Sequence, residues 1–381
     1  MRVAIVSESF LPTVNGVTTS VCRVLDELRG RGHDATVICP GPGAPREYAG
    51  FPVHSVPSIA YRQFPLGMPN GHVQQVLADF APDVLHAASP FLLGAQAIAA
   101  AGRLGVATVA VYQTDVAGYA KRNRLGLTTS LAWRWVRWVH NGADLTLAPS
   151  TASARDLDRA GIVRVRLWGR GVDLVRYHPN NRRRADAAAL RELLSPDGEV
   201  VVGYVGRLAP EKQVERLAAL RGMDGIRVAI VGDGPSEVTV RRALKRMPVA
   251  WLGRRGGDDL GAAYAAMDVF VHTGTEETFG QTVQEAHATG IPVVAPNAGG
   301  PIDLVQPGVD GYLVTNDAEL RDAVQGLVDD GALRRRMGEA GRRAVLHSSW
   351  AELCDELLTH YEAAIAHRAA SGARLQRALD Y

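Results

Sequence analysis

The chain has 381 residues, of which 46% are apolar and 22% charged, with a formal net charge of +2. This length exceeds what one hydrophobic core usually supports, so we expect a globular protein of two domains. The near-neutral charge argues against a dedicated nucleic-acid binder, and three widely spaced cysteines indicate neither a disulfide framework nor a metal site.

Short apolar, β-branched segments alternate with helical patterns along most of the chain. The predicted strands are RVAIVS, DATVIC, DVLHAA, ATVAVY and DLTLAPS, followed by VVVGYVG, RVAIVG, VAWLG, DVFVHT and PVVAP. Strands that alternate with helices predict an α/β protein with two parallel, doubly wound sheets. We place the domains at 1–170 and 171–351, with a last helix over 352–381 that caps the pair or crosses back onto the first domain.

The segment between the two series of strands breaks the rhythm. It contains Pro179, two asparagines and the consecutive arginines 182–184. This composition predicts a hinge, and the arginine run is more typical of a solvated linker than of an interaction patch.

Each sheet begins with a strand and a glycine-containing turn. Gly16 in PTVNGV precedes a helix with apolar residues at Val17, Val21 and Val24. A glycine there allows close backbone approach, and the helix N-terminus can bind an anion, although an ordinary turn explains the pattern slightly better.

The second turn gives a stronger signal. In VGRLAPEK the strand ends at Gly206, Arg207 follows, and Pro210 predicts a helix with Lys212 in its first turn. Two cations at a helix N-terminus oppose the helix dipole, which indicates a bound polyanion, or else a salt bridge to Glu211 or Glu215. Lysine occurs only three times in the chain, so its presence here favours function.

Two carboxylates eight residues apart form a third candidate site. GTEETFGQTVQEAHATG predicts a strand-to-helix loop that carries Glu277 and a helix that carries Glu285. Loops at the carboxyl edge of a parallel sheet hold ligands, so we expect both side chains to face one crevice.

Two further patterns are weak. Glu237 stands where the third glycine of a dinucleotide fingerprint would follow Gly232 and Gly234. Asp156 and Asp158 resemble a metal-binding pair, but on a helix their side chains point about 200° apart. The sequence therefore predicts no metal site.

Together these motifs resemble the family-4 retaining glycosyltransferases of the GT-B fold, which has two Rossmann-like domains facing a central cleft. The resemblance covers nearly the whole chain through PTVNGV, GRGHDATVI, GRLAPEK, VGDGP, EETFGQTVQE and GGPIDLVQPGVDGYLV. The pairing of GRLAPEK with E-x7-E is its most specific part. SESFLPTVNGV and VYQTDVAGYA are most similar to actinobacterial GDP-mannose-dependent α-mannosyltransferases that build glycolipids.

The resemblance implies roles for individual residues. Arg207 and Lys212, after Gly206, would hold the donor diphosphate, together with the backbone amide of Gly16. Glu277 would bind the hydroxyls of the donor sugar and Glu285 those of the ribose. The remaining donor contacts would be the main-chain N–H groups of Phe279, Gly280 and Gln281, and the segment WLGRRGGDDL with Arg254 at the nucleobase.

One position departs from the family pattern. Many relatives carry a histidine near the reacting sugar, where this sequence has Gln113, with Asp115 two residues later. Gln113 can donate a hydrogen bond but cannot act as a base, so Asp115 is the candidate to accept the proton of the acceptor.

The implied activity is metal-free transfer of a hexose, mannose from GDP-mannose, onto a lipid or glycolipid, with no other cofactor. The choice of guanine over uracil rests on the resemblance alone, so a UDP-sugar donor stays open. A nucleotide-sugar epimerase on the same fold and a non-catalytic nucleotide-sugar sensor are the alternatives from other classes.

The segment KRNRLGLTTSLAWRWVRWVHNGAD, residues 121–144, mixes basic residues with three tryptophans. This composition is typical of a helix that binds an anionic membrane surface, although packing of Trp135 and Trp138 into the first domain explains it equally well. No run reaches the ~20 apolar residues of a membrane span. We therefore expect a cytoplasmic protein held peripherally at the inner face of the plasma membrane.

Overall fold

A computed structural model describes residues 1–41, 43–61, 64–67, 71–113 and 126–379. The chain divides into a first unit, Met1–Arg170 with Trp350–Tyr381, and a second unit, Gly171–Ser349.

The described part of the first unit has an eight-stranded sheet in the order β10-β9-β8-β7-β1-β2-β4-β3 and a separate hairpin, β5-β6. Pairing in the large sheet is parallel except between β3 and β4. The strands are β1 Arg2–Ser7, β2 Asp34–Pro40, β3 Glu47–Tyr48, β4 Phe51–Val56, β5 Ser58–Tyr61, β6 Phe64–Gly67, β7 Val84–Ala88, β8 Ala107–Val111, β9 Leu145–Ala148 and β10 Val165–Leu167. The helices are α1 Gly16–Gly30, α2 Gly71–Phe80, α3 Leu92–Arg103, α4 Gly126–Asn141 and α5 Thr151–Arg159.

The second unit has a parallel six-stranded sheet in the order β13-β12-β11-β14-β15-β16. Its strands are β11 Val200–Val205, β12 Ile226–Val231, β13 Val249–Gly253, β14 Val269–Val271, β15 Val293–Pro296 and β16 Gly311–Val314. Its α-helices are α6 Ala185–Leu194, α7 Glu237–Ala243, α8 Gly257–Ala265, α9 Gln281–Ala288, α10 Pro301–Leu304, α11 Asp317–Asp329 and α12 Gly331–Ala344, and its 3₁₀ segments are Pro179–Arg183, Pro210–Lys212 and Val214–Leu220.

The strands are continuous apolar runs because both faces of each sheet are covered. In β1, Val3 and Ile5 belong to one buried cluster, whereas Ala4 and Val6 belong to another. Successive side chains of a strand point to opposite faces, so each strand serves two cores. The ten predicted strands and the two parallel, doubly wound sheets are confirmed.

The last helix, α13 Trp350–Leu379, packs on the first unit. Tyr361 Oη lies 2.7 Å from Nδ1 of the buried His86, and Trp168 Nε1 donates to the carbonyl of Leu353 over 2.9 Å. These buried polar contacts fix the position of the helix along the sheet.

The boundary between the two units, Arg170/Gly171, lies at the start of the segment predicted as a hinge, and the part with Pro179 belongs to the second unit. This segment is ordered within the second unit, where Arg182 pairs with Asp268 at 2.6 Å and donates to the carbonyl of Met267. The Arg182 side chain is 45% exposed, as expected for a solvated charge run, and it also connects the 3₁₀ segment to the residues before β14.

Candidate active site

The candidate site lies where the order in which the chain adds strands to the sheet of the second unit reverses. The chain places β12 and β13 on one side of β11, and β15 and β16 on the far side of β14. The loops after the neighbouring strands β11 and β14 therefore diverge and leave a crevice at the carboxyl edge of the sheet, where α/β proteins bind ligands. GRLAPEK follows β11, and the E-x7-E motif follows β14.

Lys212 and Glu277 meet across this crevice. Lys212 Nζ lies 2.5 Å from Glu277 Oε2, and both side chains are largely buried, at 24% and 18% exposure. The alternative partners expected from the sequence, Glu211 and Glu215, are not the partner of this ion pair. The two motifs, 65 residues apart, thus form one charged centre.

The helix predicted around Lys212 needs correction. Residues Pro210–Lys212 form a 3₁₀ turn that ends at Gln213, whose φ of 47° is left-handed. Thr273 Oγ1 donates to the carbonyl of Lys212 over 2.6 Å. This contact takes a carbonyl that an α-helix would have used, so Lys212 is held against the loop after β14 and not at an α-helix N-terminus.

The backbone of the Glu277 loop is fixed by two glycines of the loop after β15. Gly300 N donates to the carbonyl of Glu277 over 2.7 Å. A Cβ at Gly299 would lie 2.4 Å from the Glu277 carbonyl oxygen, and one at Gly300 would lie 2.0 Å from that of Phe279. Only glycine allows this approach, which positions Glu277 and the start of α9.

Helix α9 begins at the site. Gly280, at its N-cap, has a left-handed φ of 105°, and the preceding Phe279 is buried. Gln281 Nε2 donates to the carbonyl of Gly171 over 3.1 Å. The first N–H groups of a helix have no partner within the helix, so this end of α9 can donate to an anion or a hydroxyl.

Glu285 lies one turn into α9, as predicted, and accepts hydrogen bonds from two tyrosine hydroxyls. Tyr264 Oη donates to Glu285 Oε2 over 2.9 Å, and the Tyr177 hydroxyl also bonds this carboxyl. Burial raises the pKa of Glu285 to about 7, while the two hydroxyls act in the opposite direction. When the Glu285 carboxyl is ionised, both of its oxygens act only as hydrogen-bond acceptors. When it is protonated, one oxygen carries a proton and donates.

The remaining second-unit candidates end neighbouring strands. Arg207 follows Gly206 after β11, Arg254 follows β13, and both arginines are exposed. Because parallel strands end at one edge, these cations lie at the same edge of the sheet as Lys212 and Glu277.

The structure also explains the weak dinucleotide pattern. A Cβ at Gly232 would lie 1.9 Å from the carbonyl oxygen of Gly206, and one at Gly234 would lie 2.3 Å from that of Leu208. These glycines let the loop after β12 pack against the loop that carries Arg207. They support that loop and do not form a dinucleotide-binding motif.

The first-unit candidates lie at the carboxyl edge of its sheet. Asn15 caps α1 by accepting from the backbone N–H groups of Val17 and Thr18, and a Cβ at Gly16 would lie 2.8 Å from Nη1 of Arg170. Gln113 is buried after β8, with Nε2 3.5 Å from Ser20 Oγ. Asp115 lies outside the described residues.

One residue of the site was missed from the sequence. His272 follows β14 directly, is 2% exposed, and has Nε2 3.9 Å from Glu277 Oε2. In the sequence, His272 belongs to an apolar run that predicts a buried strand. Such a run does not show which group the imidazole ring faces.

No group of three His, Cys, Asp or Glu side chains that could hold a metal ion occurs in the described part of the chain. Asp156 of the weak aspartate pair forms an ion pair with Arg159 on α5 at 3.1 Å.

Comparisons with known proteins cover both units. The model for "Glycosyltransferase Family 4" matches residues 14–176, and that for "Glycosyl transferases group 1" matches residues 187–344. The sequence is 50% identical over 380 residues to the GDP-mannose-dependent alpha-mannosyltransferase of Mycolicibacterium smegmatis, covering 97% of this chain and 99% of that protein. The chain belongs to the family-4 glycosyltransferases. The similarly named protein of Mycobacterium tuberculosis is 49% identical over 385 residues, covering 98% of this glycosyltransferase and 99% of that protein.

Solved structures confirm the GT-B fold of this glycosyltransferase. Anabaena HepE, crystallised with UDP, matches with a TM-score of 0.80 at 22% identity over 95% of this chain and 100% of that chain. The sucrose-phosphate synthase of Thermosynechococcus elongatus matches with a TM-score of 0.77 at 21% identity over 96% and 99%.

Proposed function

We propose that this enzyme transfers mannose from GDP-mannose, with retention, onto a lipid or glycolipid acceptor at the cytoplasmic face of the membrane. Three relatives at 44–50% identity over nearly the whole chain are named GDP-mannose-dependent alpha-mannosyltransferases. Such identity over both units supports a shared donor and reaction type.

The observation that carries the proposal is the Lys212–Glu277 pair at the switch point of the sheet. A donor nucleotide sugar presents a diphosphate and a sugar, which need a cation and a hydrogen-bond acceptor side by side. Arg207 and Lys212 would bind the diphosphate, and Glu277 the hydroxyls of the sugar. Lys212 and Glu277, 2.5 Å apart, place such a cation and acceptor together.

The same geometry supports the other donor contacts. The N–H groups of Phe279, Gly280 and Gln281, at the start of α9, would face the donor sugar and phosphate. Glu285, with its two tyrosines, would accept from the ribose hydroxyls. Arg254, at the end of β13, would lie at the nucleobase.

We assign acceptor binding to the first unit and donor binding to the second. Gly16, at the N-terminus of α1, is the first unit's candidate for a backbone contact with a phosphate. Gln113 would donate a hydrogen bond to a sugar hydroxyl, and Asp115 would accept the proton of the acceptor hydroxyl.

In the reaction the bond between the sugar C1 and the phosphate oxygen breaks, and a bond from C1 to the acceptor oxygen forms on the same face. Asp115 accepts the acceptor proton, assisted by an oxygen of the departing phosphate, whose developing charge is stabilised by Arg207 and Lys212. Removing one preorganised group of this kind commonly lowers the rate ~10²–10³-fold.

The test is incubation with labelled GDP-mannose or UDP-glucose, with and without a total lipid extract. We expect label in a lipid product only with GDP-mannose and only when the extract is present. Consumption of donor without acceptor would instead indicate an epimerase, and binding without turnover would indicate a sensor. Transfer from UDP-glucose alone would overturn the donor assignment.

Helix α4 supports the membrane part of the proposal. Leu131 and Trp138 are 57% and 60% exposed, and Arg134 and Arg137 are exposed beside them. Trp135, by contrast, packs against Phe91 with ring centroids 6.1 Å apart. Exposed apolar and basic side chains on one helix suit the boundary between headgroups and acyl chains.

Lys121, Arg122 and Arg124 lie outside the described residues. No helix in the described part has the length and apolarity of a membrane span.

Vesicle co-sedimentation tests this surface. Wild type should pellet with anionic vesicles at low salt and be released by salt, because exposed charges are screened. The double variant Arg134→Glu, Arg137→Glu should not pellet, whereas the charge-matched control Arg335→Glu, Arg336→Glu in the second unit should pellet like wild type. Equal pelleting of both variants, or none of the wild type, would reject the surface.

A further inference from the structure

Glu8 lies at the carboxyl end of the central strand β1 of the first unit. The chain adds β2 on one side of β1, and β7, β8 and β9 on the other, so the order of the strands reverses between β1 and β7. Ligands of α/β proteins bind at the carboxyl ends of strands beside such a reversal. Glu8 therefore lies where a ligand of this unit is expected.

One oxygen of Glu8 holds the loop between β7 and α3. Oε1 accepts from the backbone N–H of Phe91 over 2.7 Å and from that of Gly94 over 2.9 Å, and the N–H of Leu93 also interacts with this carboxyl. The first N–H groups of a helix lack partners within the helix, and a carboxylate satisfies them well. Oε1 thus provides the cap of α3.

The second oxygen of Glu8 and a neighbouring indole are buried polar groups without a partner. The Glu8 side chain is half-buried, and neither its Oε2 nor Trp135 Nε1 on α4 has a hydrogen bond of standard geometry to a described residue. The ring of Trp135 packs against that of Phe91, with centroids 6.1 Å apart. An oxygen and an N–H group therefore border the same residue, and leaving both unpaired is unfavourable.

The chemistry of these two groups selects a ligand class. Burial raises the pKa of Glu8, while the N–H groups of Gly94, Phe91 and Leu93 oppose the shift. A hydroxyl can bond Oε2 in either charge state of the carboxyl, because a hydroxyl both donates and accepts, and for the same reason it can accept from Trp135 Nε1. An anionic group would be repelled by the ionised carboxylate. A compound with several hydroxyls can satisfy both groups together.

We propose that Glu8 and Trp135 bind a polyol or sugar headgroup of the acceptor, with Glu8 Oε2 bonded to one hydroxyl and Trp135 Nε1 to another. These hydroxyls are distinct from the one that attacks the donor, so both residues determine acceptor specificity. The exposed Trp138, whose ring centroid lies 5.1 Å from that of Trp135, connects this site with the surface of α4 proposed to contact the membrane. The inference rests on the proposed function and adds the residues that select the acceptor.

Two substitutions remove the binding groups and keep the local fold. In Glu8→Gln the amide oxygen can still accept from the N–H groups at the start of α3, so an NH₂ donor takes the place of Oε2. Trp135→Phe keeps an aromatic ring against Phe91 and removes the indole N–H. Asp83→Asn is the control, because Asp83 precedes β7 at the opposite edge of the same sheet and accepts from the backbone N–H of Arg2 over 2.7 Å. If Glu8 only caps α3, Glu8→Gln should not change ligand binding.

The binding probe is octyl β-D-glucopyranoside below its micelle concentration, titrated by ligand-observed NMR. We expect about tenfold weaker binding to Glu8→Gln and about fivefold weaker binding to Trp135→Phe, each the effect of one lost hydrogen bond, and wild-type affinity in Asp83→Asn. One monodeoxy analogue should bind wild type as weakly as the glucoside binds Glu8→Gln. That analogue should bind Glu8→Gln no more weakly still, because the same hydrogen bond is lost only once.

No binding to wild type, unchanged affinity in Glu8→Gln or Trp135→Phe, the same loss in Asp83→Asn, or strictly additive losses for every deoxy analogue would each overturn the proposal. In transfer to a total lipid extract, Glu8→Gln should raise the apparent KM for the extract about tenfold and leave kcat and the KM for GDP-mannose unchanged. A lower kcat at unchanged KM would reject the assigned role. The binding assay needs no donor, so a wild type without transfer would refute the proposed function and still test this site.

Discussion

Replacing Glu285 with glutamine should stabilise the second unit at neutral pH. Burial raises the pKa of this carboxyl from its ordinary 4.5 to about 7, even with two tyrosine hydroxyls bonded to it. Each pH unit between the two values corresponds to ~1.36 kcal/mol, so the interval corresponds to about 3 kcal/mol. Glutamine has nearly the same shape and removes the charge.

The sign of this effect follows from protonation. Between pH 4.5 and about 7, the carboxyl is mostly protonated in the folded protein and mostly ionised in the unfolded chain. The wild-type free energy of unfolding therefore falls as the pH rises through this window and levels off above about pH 7. Glutamine does not titrate, so the advantage of the variant should grow from near zero at about pH 4 to about 3 kcal/mol at about pH 7.

Hydrogen exchange with mass spectrometry, read on peptides of the second unit and corrected for intrinsic rates, measures this difference. Glu339→Gln, which changes an exposed carboxylate of the same unit, is the control and should show no such trend. The same Glu285→Gln variant should bind GDP more weakly, because it lacks the ionised acceptor proposed for the ribose. A stability difference that does not change with pH, or a variant less stable than wild type at about pH 8, would refute the reasoning.

Three further predictions concern catalysis. Glu277→Gln and Lys212→Ala should each lower transfer at least ~10²-fold in folded protein, and near-normal steady-state rates in either would reject the site assignment. Arg207→Lys should also lower kcat/KM, since an ammonium lacks the planar fork that binds phosphate, and an unaffected rate would argue against that contact. Activity should survive a chelator such as EDTA, because Arg207 and Lys212 supply the positive charge; loss of activity that magnesium or manganese restores would contradict this.

The local part of the fold could be predicted from the sequence. The strands are short runs of β-branched residues buried on both faces, so their apolar pattern is strong and the helices between them follow. The spacing of Glu277 and Glu285 also predicts a loop position and a position one turn into a helix, as observed. Their roles, with those of Arg207 and Arg254, stay predictions for the experiments above.

Other features depended on contacts between residues far apart in the sequence, which a local sequence pattern does not predict. The 3₁₀ turn at Lys212 replaces the predicted α-helix because Thr273, 61 residues later, takes its carbonyl. Arg182 reads as linker charge but pairs with Asp268, 86 residues away. Local propensity describes what a segment favours alone, and a single tertiary hydrogen bond or ion pair can outweigh that preference.

The sequence by itself determined the two parallel sheets and the residue types at the ends of their strands. Tertiary structure decided which of those residues meet. Lys212 and His272 converge on one oxygen of Glu277 because β11 and β14 are neighbours in the sheet. Strand order is set by the packing of helices on both faces of the sheet and not by the composition of any strand, so this meeting point could be located only in the folded chain.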